Sequence, residues 1–332
     1  MKILVIGCGS TGKRHIRNLL KLKISSNLIH AIDNRKDRIK EVKKLGLKNT
    51  YLSLEVALKL NDYDAGIICS PTSFHLSQCI KLAKNKINLF IEKPLSANLK
   101  GINNLKRQIN KHNLTVLIAY VFRFEPSINY IKNILKKKKI GKVLYYRGEF
   151  SEYLPDFHPY EDYRKFYMAR KSDGGGSILD QSHIMDLAHY LIGPFKKVSA
   201  FNSKISSLEI KADDIAELTI KMKNNVIASI HTDIFGRKHK KKFEIKGKNG
   251  NIIWDFYKRE VQIYQSNTKK VKIIKNFRKD FNDNYIEEMR HFLKCCVKKN
   301  KTRANLEVGI DTMKLILASE KSSKILKEVT IR

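Results

Sequence analysis

Apolar and polar positions along this chain follow two rhythms, and the change between them divides it. In the first third, short apolar runs at residues 3–6, 27–32, 65–69, 88–91 and 114–119 read as strands. Between them lie segments of helical spacing: 11–22 with Ile16, Leu19 and Leu20 on one face, 36–46 closed by Gly46, and 53–60. Two more carry Leu76, Cys79, Ile80 and Ala83, then Leu99, Ile102, Leu105 and Ile109. Alternation of this kind predicts a parallel sheet with crossover helices. After Tyr120 the rhythm changes. Residues 127–139 are helical, and strands then dominate at 143–150, 198–205, 215–222, 226–235, 242–245 and 251–256. Asn249-Gly250 is a hairpin signal before the last of these. Closing helices are expected at 285–297 and 306–326. The fold class is α/β: a Rossmann-type, doubly wound domain over 1–121, then an α+β domain over 122–332 with a large, mainly antiparallel sheet.

The first strand runs into Gly7-Cys8-Gly9-Ser10-Thr11-Gly12, a G-x-G-x-x-G turn that opens a helix. Strand, glycine turn and helix come in the order a dinucleotide pyrophosphate needs. Gly7 permits the tight turn, Gly9 lets backbone approach the phosphates, and Gly12 lets helix pack on strand. The phosphate charge then meets the helix N-terminus. The second strand ends in Asp33, about 20 residues beyond the glycines, where a carboxylate accepts from both ribose hydroxyls of NAD. Arg35, Lys36 and Arg38 follow and can hold a 2′-phosphate, which leaves NADP open.

Length and charge narrow the classes. With 332 residues the chain has room for two cored domains. No apolar run approaches the ~20 residues of a membrane helix, and the N-terminal run breaks at Gly7, too soon for a signal peptide. A soluble cytoplasmic protein is expected. Cys8, Cys69, Cys79 and the adjacent Cys295-Cys296 have no zinc or C-x-x-C spacing, so they read as buried small hydrophobes in a reducing compartment, and no metal is expected. The formal charge is +34, from 66 Lys+Arg against 32 Asp+Glu. The lysines are spread over every element, densest at 136–139 and 237–242, without a nucleic-acid reader motif. An anionic substrate is the simpler partner; neither nucleic acid nor membrane is expected.

In open α/β sheets ligands bind beyond the C-terminal strand ends. Three residue sets fall there: the glycine turn, Ser70-Pro71-Thr72, and Glu92-Lys93-Pro94. A partly desolvated Lys93 can donate to a substrate oxygen and stabilise a developing alkoxide. In the second domain, Gly174-Gly175-Gly176 precedes Asp180, His183 and Asp186. If 179–192 is one helix, Asp180, Ile184, Leu187 and Leu191 share a stripe, with His183 beside it. An acid and an imidazole on an otherwise core-facing surface need partners or a cleft. At this spacing the carboxylate can orient the ring.

The glycine turn, Glu92-Lys93-Pro94-Leu95, Arg123-Phe124-Glu125-Pro126 and the glycine-led stretch through Asp186 occur in order. Together they closely resemble the glucose–fructose oxidoreductase/inositol dehydrogenase (Gfo/Idh/MocA) family, over nearly the whole chain. The resemblance implies an NAD(P)-dependent sugar or polyol oxidoreductase. It implies that Lys93, Asp180 and His183 form the active site, and that the Lys93–Pro94 bond is cis. The usual family aspartate lies four residues before the histidine; here the interval is three, while His183-x-x-Asp186 keeps the family spacing. Tyr153-Leu154-Pro155-Asp156 and the segment from Asp162 through Lys171 are similar to a branch associated with bacterial surface-polysaccharide or nonulosonate sugars.

The expected enzyme passes hydride between NAD(P) and a ring alcohol or ketone of a sugar derivative, anionic or nucleotide-linked. Lys93 holds the oxygen, His183 takes the proton and Asp180 orients the imidazole. Cofactor contacts are expected from Gly7, Gly9, Ser10, Thr11, Gly12, Asp33, Asn34, Arg35, Ser70, Pro71, Thr72, His75, Glu92, Lys93 and Arg123. Substrate contacts are expected from Lys93, Tyr163, Arg164, Arg170, Asp180 and His183. Arg164 and Arg170 match a carboxylate or phosphate in a planar fork. A homodimer or homotetramer is expected through sheet-face packing. Two alternatives stand beside this: net non-redox sugar chemistry with a recycled cofactor, and a cofactor-sensing binding protein without turnover.

Overall fold

The computed structural model describes residues 1–332 except His158, Tyr160, Arg278 and Lys279. The chain forms two compact units. The first contains Met1–Val121 and Phe281–Gly309; the second contains Phe122–Asp280 and Ile310–Arg332.

In the first unit β1 (Ile3–Ile6), α1 (Ser10–Lys21), β2 (Ile29–Ile32), α2 (Lys36–Lys43), β3 (Thr50–Tyr51) and α3 (Leu54–Leu60) come first. β4 (Ala65–Ile68), α4 (Thr72–Lys84), β5 (Asn88–Ile91), α5 (Ile102–His112) and β6 (Val116–Ile118) follow. The strands pair in parallel in the order β3-β2-β1-β4-β5-β6. β1, β2, β4 and β5 are buried at every position, which is why they read as continuous apolar runs rather than alternating ones. The strand order reverses between β1 and β4, so their C-terminal ends open a crevice there.

The second unit starts with α6 (Pro126–Lys136) and β7 (Val143–Tyr153), then α7 (Ser177–Asp180), α8 (His183–Ile192), β8 (Phe195–Ser203), β9 (Ile215–Met222) and β10 (Ile227–Asp233). β11 (Phe235–Gly247), β12 (Gly250–Asp255), β13 (Glu260–Gln265) and β14 (Lys270–Lys275) complete its central strands. The remaining elements are α9 (Asn282–Lys298), α10 (Leu306–Ile325) and β15 (Val329–Thr330). The nine-stranded sheet has the order β14-β13-β12-β11-β7-β10-β9-β8-β15, antiparallel except for β7 with β10. Its inner face buries Tyr146, Phe150, Leu218, Ile220, Ile230, Phe243 and Trp254. α8 packs on that face against β7 and β10. The outer face leaves Phe201, Ile227, Ile253, Tyr264, Val271 and Ile273 exposed.

The chain differs from its sequence reading in three places. A second domain unbroken from 122 to 332 was expected, yet Phe281–Gly309 packs with the first unit. Phe292 of α9 meets Phe90 of β5 at 5.5 Å edge to face, and Asn282 exchanges hydrogen bonds with Asn18 of α1. α9 is therefore a crossover-type helix supplied late in sequence. The strands β3, β13, β14 and β15 were not anticipated. β14, Lys-Val-Lys-Ile-Ile-Lys, is exposed at five of its six positions, so no buried face marks it as a strand. Finally, the expected 179–192 helix is two helices. At Ser182 and Ile184 the backbone amides bond three residues back, to Leu179 and Gln181. Gln181 Nε2 is meanwhile anchored on the Asp233 carbonyl at 2.7 Å. The hairpin at β11–β12 forms, with Lys248-Asn249 as its two-residue loop and Gly250 paired opposite Gly247.

On the outer sheet face His231 lies between two carboxylates, Asp233 at 2.7 Å from Nε2 and Glu217 at Nδ1. The Asp233 hydrogen bond, against the cost of burial and aided by Glu217, lifts the imidazole from 6.5 to about 8. Folding thus favours the protonated ring. Its contribution to stability is complete below pH 6.5 and is lost as pH rises to about 8. The melting-temperature advantage of wild type over His231→Gln should shrink across that window. An advantage that grows with pH would refute this.

Candidate active site

The first unit builds a dinucleotide cradle from backbone. Gly7 has φ +91°, and a Cβ there would stand 2.7 Å from the Cys69 and Ser70 backbone. A Cβ on Gly12 would lie 1.9 Å from the Gly7 carbonyl oxygen. A Cβ on Gly9 would come no closer than 4.0 Å to its nearest neighbour, Arg38 Nη1, so that approach is open. α1 begins at Ser10 and Thr11 with no side-chain cap on its first-turn amides, leaving them for ligand oxygens.

Asp33, nearly fully buried, ends β2. Its Oδ2 accepts the Cys8 amide at 2.8 Å and its Oδ1 accepts the Arg35 amide at 2.9 Å. The carboxylate is thereby tied to the glycine turn. Asn34 follows it, and the Arg35 side chain meets Asp37 while Arg38 Nη1 stands 3.5 Å from Asp33. Burial, with Asp33 alongside, pushes the Cys8 thiol up to about 12, which makes it an inert hydrophobe.

β4 ends at Ile68, Ser70-Pro71 follow it, and Thr72 opens α4. Ser70 Oγ donates to Gln78 at 2.7 Å. His75, expected as a cofactor contact, has its two ring nitrogens against the carbonyls of Ser70 at 2.8 Å and Pro94 at 3.0 Å. Glu92-Lys93-Pro94 follows β5, and the Lys93–Pro94 bond is cis. Lys93 is half-buried. His15, an unanticipated participant, places Nε2 2.6 Å from Glu92 Oε1. Burial raises the Glu92 carboxyl, but the His15 hydrogen bond, with Lys93 and Arg14 nearby, leaves it below its ordinary value. Cys69 brings its sulfur within 4.8 Å of the His15 and Glu92 ligand atoms. The direct His15–Glu92 bond accounts for that grouping.

The second unit holds Asp180 and His183. Gly176 has φ +109°, and a Cβ on it would fall 2.3 Å from Asp213 Oδ1. Asp213 instead accepts the Ile178 amide at 3.0 Å and Lys171 Nζ at 3.1 Å, fixing the turn that starts α7. Asp180, almost buried, accepts from the Tyr167 hydroxyl at 3.1 Å. His183 is the first residue of α8, half-buried, its ring edge to face with Phe122 at 5.1 Å. Phe122 is in turn packed on Phe150, Trp254 and Phe256.

Arg123 was expected to touch the cofactor. Its guanidinium is buried and grips Asp186 through Nε, at 3.1 and 2.9 Å from the two oxygens, and Nη2, at 2.7 Å. It also lies 4.6 Å over the Tyr190 ring. This clamp sets α8, which presents His183 one turn before Asp186. The basic segment is locally paired. Arg164 meets Asp162 at 2.8 Å and Glu209 at 3.3 Å, and Arg170 meets Asp173 at 2.7 Å. The Tyr163 hydroxyl accepts the Glu209 amide at 3.2 Å.

Two family models match the chain. "Oxidoreductase family, NAD-binding Rossmann fold" matches residues 1–120, and "GFO/IDH/MocA C-terminal domain" matches residues 128–253. Myo-inositol 2-dehydrogenase of Thermotoga maritima is 27% identical over 343 residues, covering 100% of this chain and 98% of that protein. The scyllo-inositol 2-dehydrogenase (NAD(+)) of Bacillus subtilis is 27% identical over 93% of this chain and 92% of its own length. A 2,7-anhydro-N-acetylneuraminate hydratase of Mediterraneibacter gnavus is 24% identical over 42% of this chain and 36% of its own. Among solved structures, levoglucosan dehydrogenase in complex with NADH superposes with a TM-score of 0.88 at 18% identity, covering 99% of this chain and 98% of that one.

Replacing Asp186 by Ala removes the two-oxygen partner of a buried guanidinium. The expected loss is about 3–5 kcal/mol of stability in chemical denaturation. A change within experimental error would show that Arg123 does not depend on Asp186.

Proposed function

The chain belongs to the Gfo/Idh/MocA oxidoreductase family, and on that premise we propose that it oxidises a secondary alcohol on a sugar or polyol ring with NAD. The full-length similarity to two inositol dehydrogenases carries this reading. The open glycine cradle and the Asp33 carboxylate fixed beside it fit the dinucleotide. Asp33 favours free ribose hydroxyls and repels a 2′-phosphate, so NAD is preferred over NADP.

Bound NAD supplies the hydride acceptor. Lys93 donates to the substrate oxygen and stabilises the negative charge that grows there as the C–H bond breaks. His183 takes the hydroxyl proton on its imidazole, and Asp180 orients that ring. Tyr167, which donates to Asp180, keeps the carboxylate aimed. The outer face of the nine-stranded sheet, where Phe201, Ile227, Ile253, Tyr264, Val271 and Ile273 are exposed, suits a homodimer or homotetramer.

The experiment is to monitor reduced cofactor with myo-inositol, scyllo-inositol, levoglucosan and acidic sugars. Lys93→Met and His183→Asn should each cut turnover by about two orders of magnitude or more while NAD⁺ binding persists. Asp33→Ala should narrow the preference for NAD over NADP. Normal turnover in either active-site variant removes that residue from the mechanism. Failure of every sugar to change bound cofactor favours a sensing protein without turnover. Conversion of a sugar with no net change in the cofactor favours recycled, non-redox chemistry.

A narrower reading is an anionic sugar, in a polysaccharide or nonulosonate context, held by Arg164 or Arg170. The local likeness to the sialic-acid-type hydratase favours it. Both guanidinium groups already meet carboxylates, with which such a substrate would compete. Arg164→Gln or Arg170→Gln should then raise KM for the acidic sugar more than for a neutral analogue, and added salt should do the same. Best turnover on neutral sugars, indifferent to both substitutions, would discard the idea.

A further inference from the structure

Lys93 is flanked by two residues that buried histidines hold. Glu92, on its N-terminal side, meets His15 Nε2 at 2.6 Å; Pro94, on its C-terminal side, offers its carbonyl to His75 Nδ1 at 3.0 Å. The histidines are 0% and 1% exposed, a costly placement for imidazoles unless their hydrogen bonds matter. His15 Nδ1 has no hydrogen-bond partner among the described residues, and the imidazole lies edge to face with Phe90 at 4.9 Å and Tyr285 at 6.2 Å. The ring proton therefore sits on Nε2 and is donated to Glu92. The other Glu92 oxygen accepts the Lys93 amide at 3.3 Å, and the Glu92 amide donates to Ile68 of β4 at 2.9 Å. His75 adds a contact to the Ser70 carbonyl at 2.8 Å. Burial holds the His75 imidazole below its ordinary pKa; the neutral ring has one N–H, given either to the Ser70 or to the Pro94 carbonyl, and the hold on Pro94 belongs to the Nδ1–H tautomer.

We infer that His15 and His75 are positioning residues for Lys93. His15 lies in α1 and His75 in α4, the helices whose N-termini open at the ends of β1 and β4. Each helix thus presents its first turn to the cofactor crevice and, within one further turn, a ring to the lysine loop. The two clamps remove backbone freedom from the loop before any ligand arrives, which keeps the amine at a fixed place. Glu92, expected to be a cofactor contact, serves here as the link between His15 and the Lys93 amide.

This inference rests on the proposed role of Lys93, and its test separates the two. His15→Leu removes the donor; His15→Gln keeps an N–H near the Nε2 position; His75→Leu and His75→Gln form a parallel pair if one site fails to fold. Hydrogen exchange of the Lys93 and Leu95 amides is read in the cofactor-free protein. NAD⁺ dissociation constants and turnover are read on the best sugar of the panel above. The Leu variants should exchange about tenfold faster or more and lose about tenfold or more in kcat. Their KM and NAD⁺ affinity should stay within about threefold of wild type, and the Gln variants should recover most of the loss. Unchanged exchange and kcat in the Leu variants, or Gln variants as impaired as Leu variants, overturns the inference. So does a loss of NAD⁺ affinity equal to the loss of kcat, which would mark a general packing defect. If Lys93→Met turns over normally, the role of Lys93 falls and the clamp falls with it. If Lys93→Met is inactive while both Leu variants are normal, only the clamp falls.

Discussion

The first unit depends on one close approach of backbone to backbone. Gly12 of α1 sits where a methyl group would be 1.9 Å from the Gly7 carbonyl, and Gly7 where one would be 2.7 Å from the backbone leaving β4. No side chain fits at either place, so helix, first strand and fourth strand are locked at a spacing that only hydrogen atoms permit. That spacing sets what α1 can reach. Its second turn brings His15 to Glu92, and its start brings the Cys8 amide to Asp33. The carboxylate, the glycine turn and the lysine loop are therefore consequences of one packing distance rather than three separate devices.

What the sequence disclosed and what it hid divide along physical lines. The parallel sheet was legible because β1, β2, β4 and β5 are buried on both faces and must be continuously apolar. The cradle was legible because a tight turn restricts residue type locally. The break between Asp180 and His183 was not, because Gln181 is anchored by the carbonyl of Asp233, far along the chain. Nor was the part played by Arg123, whose partner Asp186 is 63 positions away, or by His15, whose partner is 77 away. His15 did leave a trace: it is a polar residue one step from Ile16 and four before Leu19, on a buried side of the helix. A polar residue in an apolar stripe asks for a partner, though it cannot name one.

The net charge of +34 reads differently once pairing is visible. The dense basic run near 237–242 lies on β11, where Lys240 and Lys242 both meet Glu149 of β7 and Lys241 meets Glu152. Lys171 is shared between Asp213 and Glu320. Arg164 and Arg170 have carboxylates of their own. Acids are scarce in this chain, yet three lysines of the β11 run meet them, so that run is not a bare cationic surface. The positive excess is spread along the whole chain rather than gathered on one element.

Phe281–Gly309 returns to the first unit after the chain has built most of the second. Synthesis runs from the N-terminus, so the parallel sheet emerges from the ribosome long before α9 can cover it. Until then the hydrophobic surface around Phe90 that Phe292 later covers has no lid. The N-terminal third is thus a nascent chain that must wait, with nearly the whole polypeptide made, for its last helix. Such a dependence ties the completion of the first unit to the synthesis of α9, late in the chain.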